Sequence, residues 1–319
     1  MLRSLLLSGI AALLTACGSL RTEVDPADLL GEPEKLVVYG YISPQDTVLS
    51  VKVGRSKPVL GDAAEALPFN IVDATVTLSN GSQSVRLLHV DREQIYKAKA
   101  TALPIRAGQT YTLTVSTPDG RRVTARATVP KAIPIQAIRL DSTMQQTGTE
   151  WQKLYLMTFS WPDPTGEANF YRYGGTFDWS AGANPVNGQS PPVNPTLRSI
   201  NFQRQGTTGN LLADGAQNGE VLSSLSSEAI ASVAVKASVS DPRAQLAAIR
   251  FGKVYPGARI TAQLMHIEKA YYQYANAVMS QRRNRDNPFA EPVLIPSNVE
   301  GGLGCFAGYN RTERVLLVR

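Results

Sequence analysis

Residues 108–130 read GQTYTLTVSTPDGRRVTARATVP, and their pattern decides the architecture. Tyr111, Leu113 and Val115 alternate with threonines, Asp119-Gly120 interrupts, and Val123, Ala125, Ala127 and Val129 alternate again until Pro130. A period of two puts the apolar set on one strand face and the threonines and arginines on the other, and Asp-Gly between two such runs marks a hairpin. Upstream, ATVTLSNGSQSVRLL repeats the device, with Val76 and Leu78 placed to pair with Val85 and Leu87 across Asn80-Gly81. Together with KLVVYGYIS, TVLSVKVG and IYKAKA this gives about seven short strands at the spacing of a β-sandwich. The expectation is an immunoglobulin-like sandwich over residues 35–131, with Tyr111, three residues past Gly108, placed as a tyrosine corner.

Downstream, KAIPIQAIRLDS and KLYLMTFSWPDP supply strands, the second stopped by Pro162 and Pro164, and VLSSL, SVAVKASVS and ARITAQLMHI supply more. In IEKAYYQYANAVMSQRR, Ile267, Ala270, Tyr271, Tyr274 and Val278 fall at i, i+3, i+4, i+7 and i+11, which predicts an amphipathic helix near 267–284 lying on a sheet. A tyrosine-lined binding surface is the sharper alternative to core packing for that stripe. Residues 132–319 are therefore expected to form a second β-rich domain carrying one helix. A mature chain of about 300 residues is near the size at which single cores stop growing, which also favours two domains.

The chain opens MLRSLLLSGIAALLTACGS: one basic residue, a short apolar run, then Leu14-Thr15-Ala16-Cys17. The run is shorter than the roughly 20 residues of a membrane span, so residues 1–16 read as a secretory signal. Small residues before a cysteine resemble the lipobox of bacterial lipoproteins, which would leave Cys17 as the lipid attachment residue at the mature N-terminus; the alternative is an ordinary signal with an incidental cysteine. Residues 17–34 are acidic and broken by Pro26 and Pro33, the composition of a flexible tether. Loss of Arg3 with the signal leaves 31 basic residues against 26 acidic ones, a net charge of +5. Apart from Arg282, Arg283 and Arg285 in QRRNRDN, which read as a cationic helix C-terminus favoured by the dipole, the arginines are scattered, so anionic lipid or an acidic partner surface fits them better than nucleic acid. With Cys17 acylated, Cys305 has no partner in the chain and stability must come from packing.

Catalysis by an activated nucleophile needs a base beside it, and the two histidines, His89 and His266, stand in no motif. No G-x-S-x-G, H-E-x-x-H or phosphate-binding loop occurs, and no metal ligand set or cofactor is expected apart from the covalent lipid on Cys17. Gly302-x-Gly304-x-x-Ala307 matches the dinucleotide fingerprint in letters only, because that motif needs a following helix, whereas ERVLLVR reads as a closing strand. Cys305 has no basic neighbour to lower its pKa and reads as a small buried hydrophobe. The stretch SNVEGGLGCFAGY, residues 297–309, is thus expected to be a strand whose glycines permit close approach or positive φ. The alternative is a loop that contacts a partner through Asn298, Gly301, Gly302 and Gly304. All three tryptophans lie in residues 151–179, and Trp161, Tyr171, Tyr173 and Trp179, beside the Gly/Pro-rich loop 181–195, form a candidate ligand-stacking cluster, with core packing as the other reading.

The lipobox, LVVYGYIS, YTLTVSTPDGRRVTARATVP, NFYRYGG and above all PSNVEGGLGCFAGY resemble the Bacteroidetes lipoproteins grouped as domain of unknown function 4249. The resemblance runs over nearly the whole mature chain. It implies a lipid-anchored outer-membrane protein without known catalytic residues, often encoded beside a TonB-dependent receptor, and leaves open whether the cell-surface or the periplasmic face carries it. The expected function is a non-enzymatic binding or accessory subunit of such a receptor. The alternatives are a carbohydrate- or peptide-processing enzyme with acids from distant strands, or an adhesin-like structural module.

Overall fold

The computed structural model describes residues 34–56, 69–147, 150–179, 196–200, 202–203, 210–215, 219–226, 230–232, 259–287, 289–291 and 293–317. The fold is mainly β with one helix among the described residues. Seven strands make the first half: β1 (Leu36–Ile42), β2 (Val48–Arg55), β3 (Thr75–Ser79), β4 (Ser84–Val90), β5 (Ile95–Lys99), β6 (Thr110–Ser116) and β7 (Arg122–Thr128). The hairpin registers follow the alternation, with Val76 opposite Leu87 and Leu78 opposite Val85, and Leu113 opposite Ala125. Asn80-Gly81 and Asp119-Gly120 sit at the turns, both glycines at positive φ. Strand β4 pairs with β3 through Ser84–Leu87 and with β5 through Leu88–Val90, so one sheet curls at this strand into two layers. Their inner faces bury Leu36, Val38, Leu49, Val51, Leu78, Leu113 and Val123 in one core. Tyr111 is buried, accepts a hydrogen bond from the Arg106 amide at 2.8 Å and donates back to the Pro104 carbonyl, tying the strand to the turn before it.

The second half contains β8 (Ala137–Thr147), β9 (Glu150–Pro162), β10 (Phe170–Trp179), β11 (Thr196–Ile200), β12 (Phe202–Gln203), β13 (Leu211–Ala213), β14 (Val221–Ser226), β15 (Ile230–Ser232), β16 (Arg259–Ile267), helix α1 (Lys269–Asn284), β17 (Val299–Glu300) and β18 (Leu303–Leu317). Strands β12, β14, β9, β15 and β8 form a separate five-stranded sheet. A second core lies between β9, β10 and β16, around Phe159, Trp161, Tyr171, Tyr173 and Leu264. Helix α1 falls where the tyrosine periodicity put it. The strand expected at 232–240 lies outside the described residues beyond Ser232, as does the loop 181–195. No helix among the described residues is long and apolar enough to cross a membrane.

The two halves meet along β18. Its first six residues pair in parallel with β1, from Val37 opposite Leu303 to Ile42 opposite Gly308, and the rest pairs antiparallel with β16. SNVEGGLGCFAGY therefore lies across β17 and β18, and ERVLLVR continues the same strand through Leu317. Val299 and Phe306, which a division at residue 131 assigns to the second domain, belong to the first core.

Candidate functional site

Strand β18 is buried on both faces from Gly304 to Gly308, where it pairs with β1. Phe306 points into the sandwich core, while Cys305 and Ala307 point to helix α1, with the Cys305 thiol 3.8 Å from the Ala270 carbonyl. Small side chains on the helix side let the helix come close. Burial pushes the Cys305 thiol up to about 12, so it is a packed, inert group.

Two side chains close the gap between β18 and β7, which do not pair directly. The Asn298 amide accepts from the Phe306 N–H at 2.9 Å and donates to the Phe306 carbonyl at 2.6 Å and the Arg126 carbonyl at 3.3 Å. The Glu268 carboxylate, at the start of α1, accepts from the Gly308 N–H at 2.9 Å and the Thr128 N–H at 3.1 Å. Burial raises the Glu268 pKa and the two amide donors oppose that rise. Both residues act as side-chain rungs where backbone rungs are missing. Asn298→Ala should therefore cost about 3 kcal/mol in urea unfolding, because it strands buried backbone groups as well as deleting bonds.

Of the four residues placed at a partner contact, Asn298 is thus spent inside the seam. Gly304 is buried at φ +117°, and a β-carbon on it would lie 2.0 Å from the Val38 carbonyl oxygen. A β-carbon on Gly302 would lie 2.6 Å from the Leu36 carbonyl oxygen. Only Gly301 is exposed, at φ +78°. Packing, the leading expectation for the stretch, is what Asn298, Gly302 and Gly304 do in the seam, while Gly301 stays at the surface.

The ligand-stacking reading of the aromatic cluster is corrected. Trp161, Tyr171 and Tyr173 are 0 %, 0 % and 1 % exposed, with Trp161 ring centroids 5.4 and 6.0 Å from those of the two tyrosines. They are on inward-facing positions of β9 and β10, and no ring face is open for stacking. The Trp179 side chain lies outside the described residues. Nearby, Asp163 accepts from the Tyr171 hydroxyl and from the Gly219 N–H at 3.1 Å, and Asp214 accepts from the Asn169 N–H at 2.9 Å. Both carboxylates are buried and held by loop backbone. His266 stacks on Tyr171 and meets the Lys131 carbonyl at 2.9 Å; burial lowers its pKa and keeps it neutral. His89 lies far along the chain, beside Asp91 at 2.8 Å.

An open site lies on the other side of the seam. In β1 the inward positions are Leu36, Val38, Gly40 and Ile42, so Tyr39 and Tyr41 point outward. Tyr41 packs against Tyr271 of α1 with ring centroids 4.6 Å apart, and Tyr39 against Tyr274 at 5.8 Å. The helix covers β18 but leaves the outer face of β1 and β2 as a groove of about 260 Å³. Tyr39, Tyr41, Asp46, Ser50, Lys52 and Tyr309 are among the residues that line it. Tyr309 donates to the Asp46 carboxylate at 2.9 Å, and Asp46 also accepts from the Ser43 N–H at 2.8 Å. Burial pushes the Tyr309 phenol up to about 12, with Asp46 adding to it, and raises Asp46 against its hydrogen bonds. Burial also raises Tyr41 and Tyr274, so these phenols stay neutral. Lys52 is exposed, its ammonium 5.2 Å from the Phe69 ring centroid. The lining offers aromatic faces, neutral hydroxyls and one charge of each sign, which suits binding of an amphipathic surface. The helix tyrosines Tyr271 and Tyr274 pack on Tyr41 and Tyr39 and do not line this groove; its tyrosines on β1 are Tyr39 and Tyr41, whose i, i+2 spacing in VYGYI places both on the outer face.

The family model described as Domain of unknown function (DUF4249) matches residues 19–315. The chain belongs to this family. No curated protein matches it. The DUF4249 match begins just past Cys17 and ends within β18, so it takes in both halves, the glycine-rich seam and the tyrosine groove.

Proposed function

We propose that this DUF4249 chain is a non-enzymatic, lipid-anchored binding or accessory subunit of the bacterial outer membrane that serves a TonB-dependent receptor. The signal with its lipobox and the acidic tether support the anchor. Strand neighbours β1-β2-β5-β4 and β3-β6-β7 follow the order of seven-stranded immunoglobulin-type sandwiches, which supports an immunoglobulin-like reading of the first half. Such modules present strand faces and loops to partners. The observation that carries the proposal is the tyrosine groove, a preformed concave surface rich in the aromatic residue type that anchors protein contacts.

The test is extraction of outer membranes in mild detergent, capture of the chain and mass spectrometry of what comes with it. A TonB-dependent receptor should be recovered with the wild type and reduced at least tenfold with Tyr39→Ser combined with Lys52→Glu. Both substituted side chains are at least partly open to solvent, so the melting temperature should move by only a few degrees. Recovery of no receptor, or undiminished recovery with the groove variant, contradicts the reading.

A further inference from the structure

The direction of α1 shows which end of the molecule faces the anchor. Tyr271 packs on Tyr41 and Tyr274 on Tyr39, so the helix runs antiparallel to β1. From Tyr274 to Asn284 it advances about 15 Å, and from Tyr39 back to Lys35 the strand covers about 13 Å. The helix C-terminus therefore comes out level with the residue where the tether enters the fold. The β6–β7 turn is at this end as well, because Arg121 reaches the Glu34 carboxylate at 2.7 Å.

This end carries an uncommon surface. Arg282, Arg283 and Arg285 are exposed in and just past the last helical turn. Phe289 follows at 94 % exposure and Leu294 at 90 %, well above the other exposed large apolar residues, which range from 39 % to 66 %. Phe289 is held there. Asn287 donates to the Asn284 carbonyl at 3.0 Å, Phe289 to the Asn287 side-chain oxygen at 3.1 Å, and Ala290 to the Asn287 carbonyl at 3.1 Å. A wound turn thus presents an aromatic ring to the outside four residues after the last of three exposed arginines. Asp286 and Glu291 share the segment and soften its charge without reversing it.

We propose that Arg282, Arg283, Arg285, Phe289 and Leu294 form a foot that rests on an anionic phospholipid bilayer, with the arginines on headgroup phosphates and Phe289, joined by Leu294, in the interfacial layer. The chemistry is that of interfacial segments, which pair an apolar tip with clustered basic residues. Residues 18–33 would reach at most about 55 Å fully extended, so the anchor alone does not fix which face meets the lipid; the foot does. The inference rests on the anchored reading for its orientation, but its lipid contact does not need the acyl chains.

The test places an environment-sensitive fluorophore on Ala290→Cys in the full chain and measures quenching by nitroxide lipids. Cys305 is buried and does not compete for the label. In phosphatidylglycerol-containing vesicles the label should be quenched several-fold more than one on Ser82→Cys, in the β3–β4 turn at the opposite end of the same layer. Phe289→Ser with Arg282, Arg283 and Arg285 changed to Gln should abolish the difference. Flotation at low salt and quenching that survive Cys17→Ser show that the foot's contact does not depend on a lipid at Cys17. Equal quenching at the two positions, no flotation with anionic vesicles, or protection of the label only by added receptor overturns the foot.

Discussion

Gly304→Val is expected to leave no folded protein. Gly304 pairs directly with Val38 inside the sheet, and its φ of +117° is a conformation that L side chains rarely adopt. A β-carbon there would stand 2.0 Å from the Val38 carbonyl oxygen, 2.8 Å from its carbonyl carbon and 3.0 Å from its nitrogen. These are backbone atoms of a central strand, so no rotamer change relieves the contact; β1 and β18 must separate. Parting them opens the first core at Phe306 and withdraws the support under α1. The cost should exceed about 4 kcal/mol, against the 5–15 kcal/mol that holds a typical domain. Cys305→Ala, one residue on, is the control: it removes one sulfur from a small buried site and should cost about 1–2 kcal/mol. Soluble yield and thermal melts of the two variants check this, and a folded Gly304→Val chain with an unchanged melting temperature removes the packing account.

Cys17→Ala is expected to abolish membrane retention. On the anchored reading, two or three acyl chains at Cys17 contribute roughly tens of kcal/mol, taking about 0.8 kcal/mol per buried methylene. The foot supplies only weak, salt-sensitive attraction by comparison. The variant should therefore appear in the soluble fraction at moderate salt, or accumulate with its signal uncleaved. Fractionation with metabolic labelling by a radioactive fatty acid reads both. Normal processing, label incorporation and full membrane retention in the variant mean that another residue carries the lipid.

Much of the first half was legible because each hairpin announces itself locally. Val76, Leu78, Val85 and Leu87 need only their own alternation and Asn80-Gly81 to fix their register. Helix α1 was legible for the same reason, since a 3.6-residue period is a local property. The seam was not, because it depends on pairing between residues about 265 positions apart. Alternation is lost in GCFAGY since both faces of β18 are buried, one by the sandwich core and one by the helix. Glycines there are set by the Val38 and Leu36 carbonyls, which the stretch itself does not reveal. Asn298 and Glu268 look like ordinary polar residues in sequence, and their role exists only where β7 and β18 fail to pair. The groove was not legible: Tyr39 and Tyr41 read as strand alternation, and the helix tyrosines that stand out in sequence pack on them without lining it. The tryptophan-rich segment stayed open between core and site because an aromatic cluster reads alike in both, and the inward register of β9 and β10 puts Trp161, Tyr171 and Tyr173 in the core.

The glycine-rich seam is expected to make the two halves one cooperative unit. All three tryptophans lie in the second half, so their fluorescence reports that half, while far-UV circular dichroism reports the strands of both. Urea unfolding of the wild type followed by the two signals should give coincident transitions, and Asn298→Ala, which touches only the seam, should lower both midpoints together. Separate transitions in the wild type, or an Asn298→Ala chain whose tryptophan transition stays in place while the other moves, would contradict it.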